Sequence, residues 1–376
     1  MKFIDLFAGI GGFRFGMESA GHECVAFCEI DKFARASYKA IHDTEGEIEL
    51  HDITTVTDDE IRNIGHVDAI CGGFPCQAFS IAGYRRGFED TRGTLFFEIA
   101  RFASILKPKY LFLENVKGLL NHDRGNTFEV ILSALDELGY DVEWQVLNSK
   151  DFGVPQNRKR VFIIGHLRRE RGRKIFPIGG DGATIDCEQP KINKVGNIRK
   201  KGKSQSGDVV SVDSLAPTLC STTTQKGPLK ILVVGNFPGS HEQNGRVYDP
   251  EGILPTLNTM QGGGRQPKIR VREATKKGYA EASVGDSVNL AHPNSKTRRG
   301  RVGEGIANTL VTGDSQGVVT PNFRIRKLTP RECWRLQGFP DWAFDKAQEV
   351  NSNSQLYKQA GNSVTVNVIK EIARYL

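Results

Sequence analysis

The chain has 376 residues, of which 38% are hydrophobic and 25% charged, enough apolar material for a substantial core; this excludes a disulfide-stapled miniprotein and a wholly disordered chain. No apolar run approaches the roughly 18–20 residues that cross a bilayer, and Asp5 interrupts the stretch a signal peptide would need, so neither a membrane span nor export is expected and the compartment is read as cytoplasmic. The net charge of +7 is held unevenly: residues 190–320 carry 19 Lys plus Arg against 10 Asp plus Glu, a net of +9, and the rest of the chain nets −2. A solvated face and a nucleic-acid surface both account for such a segment. The seven cysteines are odd in number and form no CxxC pair, so neither a disulfide framework nor a structural metal is expected.

From the N-terminus to residue 167, short β-rich apolar runs alternate with amphipathic stretches. The pattern predicts strands over 2–7, 23–28, 67–71, 110–113, 142–147 and 161–165, and helices over 13–20, 32–41, 95–106 and 127–138. An α/β fold with a mostly parallel sheet follows. The first strand runs into Phe7-Ala8-Gly9-Ile10-Gly11-Gly12, glycines that let backbone approach a ligand or simply make a tight turn. Glu29 ends the second strand, where a carboxylate accepts both hydroxyls of a ribose, and Asp52 follows a third candidate strand within reach of an adenine amine. Together they favour an adenosine-containing cofactor.

The next strand ends in Cys71-Gly72-Gly73-Phe74-Pro75-Cys76-Gln77. Cys71 reads as an inert strand thiol, whereas Cys76 sits on a loop at the sheet edge where ligands bind in open α/β sheets, a place for a thiolate nucleophile. Glu114-Asn115-Val116 adds a carboxyl at that edge, and Gln156-Asn157-Arg158-Lys159-Arg160 adds guanidinium groups. Between residues 168 and 322 the chain turns Gly-, Ser- and Thr-rich and repeats itself: Val195-Gly196-Asn197 recurs as Val234-Gly235-Asn236 and Val284-Gly285-Asp286, and Ala216-Pro217-Thr218-Leu219 as Leu254-Pro255-Thr256-Leu257 and Ala307-Asn308-Thr309-Leu310. Three small β-rich units that bury their apolar faces on one another form the expectation, and a purely architectural repeat is the alternative. Thr329-Pro330-Arg331-Glu332 has a capping-box helix start, Gly338 can close that helix, and a last helix follows Gly361-Asn362-Ser363. Two helices make no core alone, so this tail is expected to dock on the first domain.

Taken in order, residues 5–14, 72–80, 114–116, 156–160, 326–340 and 359–366 resemble the motif set of the cytosine-C5 DNA methyltransferases, across nearly the whole chain. His51 stands where that family usually has Gly before the acid of its third motif, leaving Asp52 in place. The resemblance implies a Rossmann-like class I methyltransferase domain over 1–167, a β-rich target-recognition domain over 168–322, and a C-terminal segment, 323–376, completing the catalytic domain. It implies S-adenosylmethionine as methyl donor, held by Phe7, Gly9, Gly11, Glu29, Ile30, Asp52, Ile53, Pro75, Leu95, Asn362 and Val364. Cys76 becomes the nucleophile, Glu114 the group that holds the base, and Arg160 with Arg158 its support, acting on a cytosine flipped out of double-stranded DNA. Arg85 and Arg86, on a loop resembling the family's mobile loop, and Arg265, in a Gly-rich recognition loop, are the expected DNA contacts. A monomer is expected. Pairing with a restriction endonuclease, an orphan enzyme and a phage gene evading restriction all stay open. Three readings compete: a nucleotide-dependent oxidoreductase, which leaves Glu114 and the basic repeats unused; a tRNA methyltransferase, whose recognition region is typically shorter; and an inactive DNA-binding protein, against which the intact Pro-Cys-Gln and Glu-Asn-Val groups stand.

Overall fold

The computed structural model describes residues 1–75, 95–168, 174–179, 268–292, 295, 297–313, 315–322 and 324–376, and the backbone of four short strands between residues 194 and 248. Contacts divide the chain into two units, Met1–Asp181 with Gln266–Leu376, and Gly182–Arg265.

The first unit is built on a seven-stranded sheet: β1 (Lys2–Leu6), β2 (Glu23–Cys28), β3 (Ile48–Leu50), β4 (Ala69–Gly73), β5 (Tyr110–Val116), β6 (Tyr140–Asn148) and β7 (Lys159–Leu167). Their spatial order is β3-β2-β1-β4-β5-β7-β6, parallel except that β7 runs against both its neighbours. Side chains alternate between two cores with the period of a strand. Ile4, Ile70, Leu111, Leu113 and Ile163 face one core; Phe3, Cys71, Phe112, Phe162 and Ile164 face the other. Burial on both faces explains why the central strands read as unbroken apolar runs.

Among the described residues, five α-helices connect the strands: α1 (Gly12–Ser19), α2 (Lys32–Ile41), α3 (Asp58–Asn63), α4 (Leu95–Leu106) and α5 (Asn126–Glu137). In α2 the Asp31 side chain caps the Phe33 and Ala34 amides, and Ala34, Ser37, Tyr38 and Ile41 form the buried stripe expected of helical spacing. The predicted ranges of α2 and α4 match the structure; α3, started by a Thr57–Glu60 capping box, was not expected.

The second unit contains β8 (Lys194–Asn197), β9 (Asp208–Val210), β10 (Val233–Asn236) and β11 (Arg246–Tyr248), paired as two antiparallel hairpins. Both Val-Gly-Asn markers of the first two repeats therefore lie on strands.

The chain returns to the first unit with the hairpin β12 (Ile269–Arg272) and β13 (Tyr279–Ala282), then β14 (Ser287–Asn289), β15 (Val302–Gly303), β16 (Gln316–Val319) and β17 (Ile325–Lys327), a four-stranded antiparallel sheet in the order β15-β14-β16-β17. Val271, Ala282, Val288 and Val319 form its small core.

The tail holds four helices rather than the two expected: α6 (Pro330–Leu336), α7 (Asp341–Val350), α8 (Asn353–Asn362) and α9 (Val366–Ala373). Thr329 and Glu332 make the predicted capping box, and Gly338 turns the chain at φ 82°. In the tail, α9 lies against α1 where Gly16 leaves no side chain; a Cβ there would come within 2.5 Å of Ile369. No described helix is long and apolar enough to cross a membrane.

Candidate functional site

Strand order reverses at β1, whose neighbours are β2 and β4, so the crevice beyond the ends of β1 and β4 is the ligand position of a doubly wound sheet. A cavity of about 410 Å³ lies there. Phe7, Gly9 and Ile10 line it from the β1 turn, Glu29 and Asp31 from the β2 end, Gly73 to Pro75 from the β4 end, Glu114 to Val116 from β5, Arg158 from just before β7 and Arg160 from β7, and Lys358, Gln359, Gly361 and Asn362 from the tail.

At the β2 end, the Glu29 carboxylate accepts the Gly9 and Asp31 amides, each at 2.8 Å. Burial raises its pKa from the ordinary carboxylate value and the two amides oppose that shift. Each oxygen can accept two hydrogen bonds and takes one of these amides, so each retains a lone pair for a ligand hydroxyl. Phe7 and Gly9 bend the turn through left-handed backbone, φ 55° and 58°, and a Cβ on Gly9 would meet nothing within 4 Å. The backbone is thus bare on the side a ligand approaches. Lys358 closes this end with an ion pair to Asp31, 2.6 Å.

At the β5 end, Glu114 is 7% exposed and its Oε1 lies 2.9 Å from Arg160 Nε. The pair is ionic without hydrogen-bond alignment, and that oxygen accepts no hydrogen bond. Burial raises the Glu114 pKa, against the pull of Arg160 and then Arg158. A carboxyl so placed holds a proton more readily than a free glutamate and can give it to a ring nitrogen. Asn115 donates to the Phe74 carbonyl at 2.8 Å and so ties the β4 loop to β5.

Cys76, Arg85, Arg86 and Arg265 lie outside the described residues. Pro75, the residue before Cys76, lines the cavity. The described cysteines, Cys24, Cys28, Cys71 and Cys333, are all buried. Burial raises every one of their pKa values, Cys28 and Cys333 to about 12, so none is an available thiolate.

Of the cofactor residues expected from sequence, Phe7, Gly9, Glu29, Pro75 and Asn362 line the cavity, together with Glu114, Arg158 and Arg160. Gly11, Ile30, Asp52, Ile53, Leu95 and Val364 are not among its lining residues. A Cβ on Gly11 would collide with the His42 ring, so that glycine makes room for a buried histidine. Asp52 Oδ1 is taken up by the Thr54 amide and hydroxyl, at 3.0 and 2.7 Å. Ile53 is core, whereas Ile30 is 67% exposed beside Glu29. Sequence reasoning assigned no role to Asp31 or Lys358; the helix N-cap pattern marks Asp31, and no local signal marks Lys358.

A sheet in this order, with one antiparallel strand and a cavity at its switch point, is that of a class I methyltransferase. All 376 residues, 1–376, match the family described as C-5 cytosine-specific DNA methylase, and the chain belongs to that family. It is 35% identical to the orphan methyltransferase M.SPRI of Bacillus phage SPR, covering 100% of this chain and 97% of that protein. It is also 35% identical to the type II methyltransferase M.HhaI of Haemophilus parahaemolyticus, over 99% and 93%. Among solved structures, a candidate DNA modification methyltransferase encoded within an E. coli prophage shares the fold at TM-score 0.55, with 20% identity over 100% of this chain and 98% of that one. DNMT2 of Spodoptera frugiperda does so at TM-score 0.52, with 17% identity over 100% and 98%.

Proposed function

We propose that this chain is a DNA (cytosine-5-)-methyltransferase that methylates C5 of cytosine within a specific sequence of double-stranded DNA, using S-adenosylmethionine. The observation that carries the reading is one cavity with two unlike carboxylates, Glu29 held by backbone amides and Glu114 beside guanidinium groups, with Pro75 on its wall. The β2 end fits the adenosine part: Glu29 has free lone pairs, Gly9 exposes backbone, and Ile30 offers an exposed apolar side chain. When bound, S-adenosylmethionine supplies an electrophilic methyl group.

Cytosine C5 is too weak a nucleophile to take that methyl unaided. The Cys76 thiolate adds to C6 while the Glu114 carboxyl gives its proton to N3, turning the ring into an enamine whose C5 can react. The other Glu114 oxygen accepts the exocyclic amine, and Arg160 offsets the charge. Once C5 carries the methyl group, loss of the C5 proton to solvent water restores the C5–C6 double bond and expels the Cys76 thiolate, and the N3 proton returns to Glu114. The target base must first leave the stack, at a cost of a few kcal/mol. Residues 168–322 supply the recognition region, with Arg85, Arg86 and Arg265 on DNA; most Lys and Arg there serve phosphates, and a few side chains read base edges. The enzyme works as a cytoplasmic monomer.

Incubation with tritiated S-adenosylmethionine and either duplex DNA or tRNA, followed by bisulfite sequencing, tests the reading. Label confined to duplex DNA at one cytosine of a fixed sequence is expected; label on tRNA alone overturns it.

A further inference from the structure

Three successive residues before β7, Gln156, Asn157 and Arg158, grip the third Thr-Leu repeat. The Asn157 amide donates to the Ala307 carbonyl at 2.8 Å, and the Ala307 amide donates to the Pro155 carbonyl at 2.8 Å. Thr309 Oγ1 donates to the Asn157 carbonyl at 2.7 Å, and the Leu310 amide to Gln156 Oε1 at 3.3 Å. Ala307, Thr309 and Leu310 of the repeat are thus bonded to the segment that leads into β7, whereas Asn308 donates to the Arg301 carbonyl. Ala307 and Leu310 are buried there as well.

Arg158 carries the grip into the cavity. Its guanidinium, 3% exposed, donates to the Leu310 carbonyl at 3.3 Å and to the Gly361 and Ser363 carbonyls at 3.1 and 2.8 Å. Three backbone carbonyls from two chain segments therefore hold one buried cation, and the charge of Glu114 favours its protonated form. The Gly361 side is equally close-fitting, because a Cβ on Gly361 would collide with the Val311 carbonyl. A guanidinium in a dry site keeps its place only while its carbonyls are all present. Arg158 commits both Nη groups to these carbonyls while, among the described residues, its buried Nε has no partner, and it touches both the 307–310 segment and the turn that brings Asn362 to the cavity.

We propose that Arg158 is a positioning residue, a clasp through which seating of the 307–310 segment fixes the 361–363 turn and the Glu114 side of the cavity. The recognition region then acts on methyl transfer as well as on DNA binding. This rests on the methyltransferase reading above, and its test has one arm that does not.

Thr309 does not line the cavity, so Thr309→Val loosens the clasp without touching a reacting group. We expect single-turnover methylation at saturating DNA and S-adenosylmethionine to fall roughly tenfold, duplex affinity to stay within about twofold, and Thr309→Ser to recover most of the rate. In hydrogen exchange the amides of Ser363 and Val366, bonded to Gln359 and Gln337 carbonyls, should open about tenfold faster in Thr309→Val while β1 and β4 are unchanged. Arg158→Lys in the Thr309→Val background should add little further loss of rate. A wild-type rate with weakened DNA binding, or unchanged exchange at Ser363 and Val366, overturns the clasp. If the wild-type protein methylates no DNA, the functional reading fails and the exchange arm alone judges the clasp.

Discussion

The two ends of the cavity treat the same functional group in opposite ways. At the β2 end, Glu29 is fixed by two backbone amides, which favour the ionised form and set its direction. At the β5 end, among the described residues, Glu114 has an ion pair with Arg160 and an oxygen that accepts no hydrogen bond. Burial raises both pKa values, yet the main opposing forces differ: backbone hydrogen bonds at Glu29, and at Glu114 chiefly the charges of Arg160 and Arg158. Backbone amides cannot move with a reaction, so they suit a carboxylate that must stay an acceptor. A charge pair tolerates a proton coming and going, and so suits a carboxyl that serves a developing ring charge.

The sharpest way to break that contrast is Glu114→Gln. It removes the transferable proton and should slow single-turnover methylation about 10²-fold or more, with S-adenosylmethionine binding nearly unchanged. Glu29→Ala should do the reverse: cofactor affinity measured by calorimetry falls roughly 10–100-fold, while the rate at saturation changes much less. The opposite pattern would exchange the two roles. A carboxylate outside the cavity gives a smaller effect with the other sign. Glu332, in the α6 capping box, pairs with Arg326 at 2.7 Å and its pKa falls from 4.5 to about 2. Because its folded value is depressed, the pair stabilises the protein fully above the ordinary glutamate range and loses that contribution as pH falls toward about 2. Glu29 and Glu114, raised on folding, instead cost stability as pH rises through their folded values. Arg326→Ala should lower stability at pH 7 by about 0.5–1 kcal/mol, since the pair is half-exposed, and scanning calorimetry should find the gap closing in acid. A gap that persists near pH 2 would mean that Arg326 acts through packing.

Much of this arrangement was legible in the sequence where local patterns fix structure. The α2 and α4 ranges follow from helical periodicity, and the α6 start follows from Thr329 and Glu332. Strand direction leaves no trace in side-chain alternation, so the reversed β7 could not be read. The same capping signature that located α6 also stands at Thr57 and Glu60 and went unused. Helices α7 and α8 are hard to read because their stripes are thin: Trp342 of α7 is half-exposed beside Phe15, and α8 buries only Leu356, Gln359 and Ala360. At the site, Glu29, Glu114 and Arg160 were visible as residues at strand ends. The Lys358–Asp31 pair and the clasp at Arg158 join segments hundreds of residues apart, and only the folded chain brings them together. The Thr-Leu repeat was visible, but its third copy turns out to dock on Gln156 and Asn157, a use that repetition alone does not reveal.

The most direct measurement of the central claim is a trap at the reacting carbon. Fluorine at C5 cannot leave as a proton does, so duplex DNA with 5-fluorocytosine at the target should stop the reaction with the thioether to C6 intact. With S-adenosylmethionine present, mass spectrometry should find one DNA adduct per protein chain, mapping to Cys76 and absent from Cys76→Ser. An adduct that maps elsewhere, or that persists in Cys76→Ser, would contradict the account.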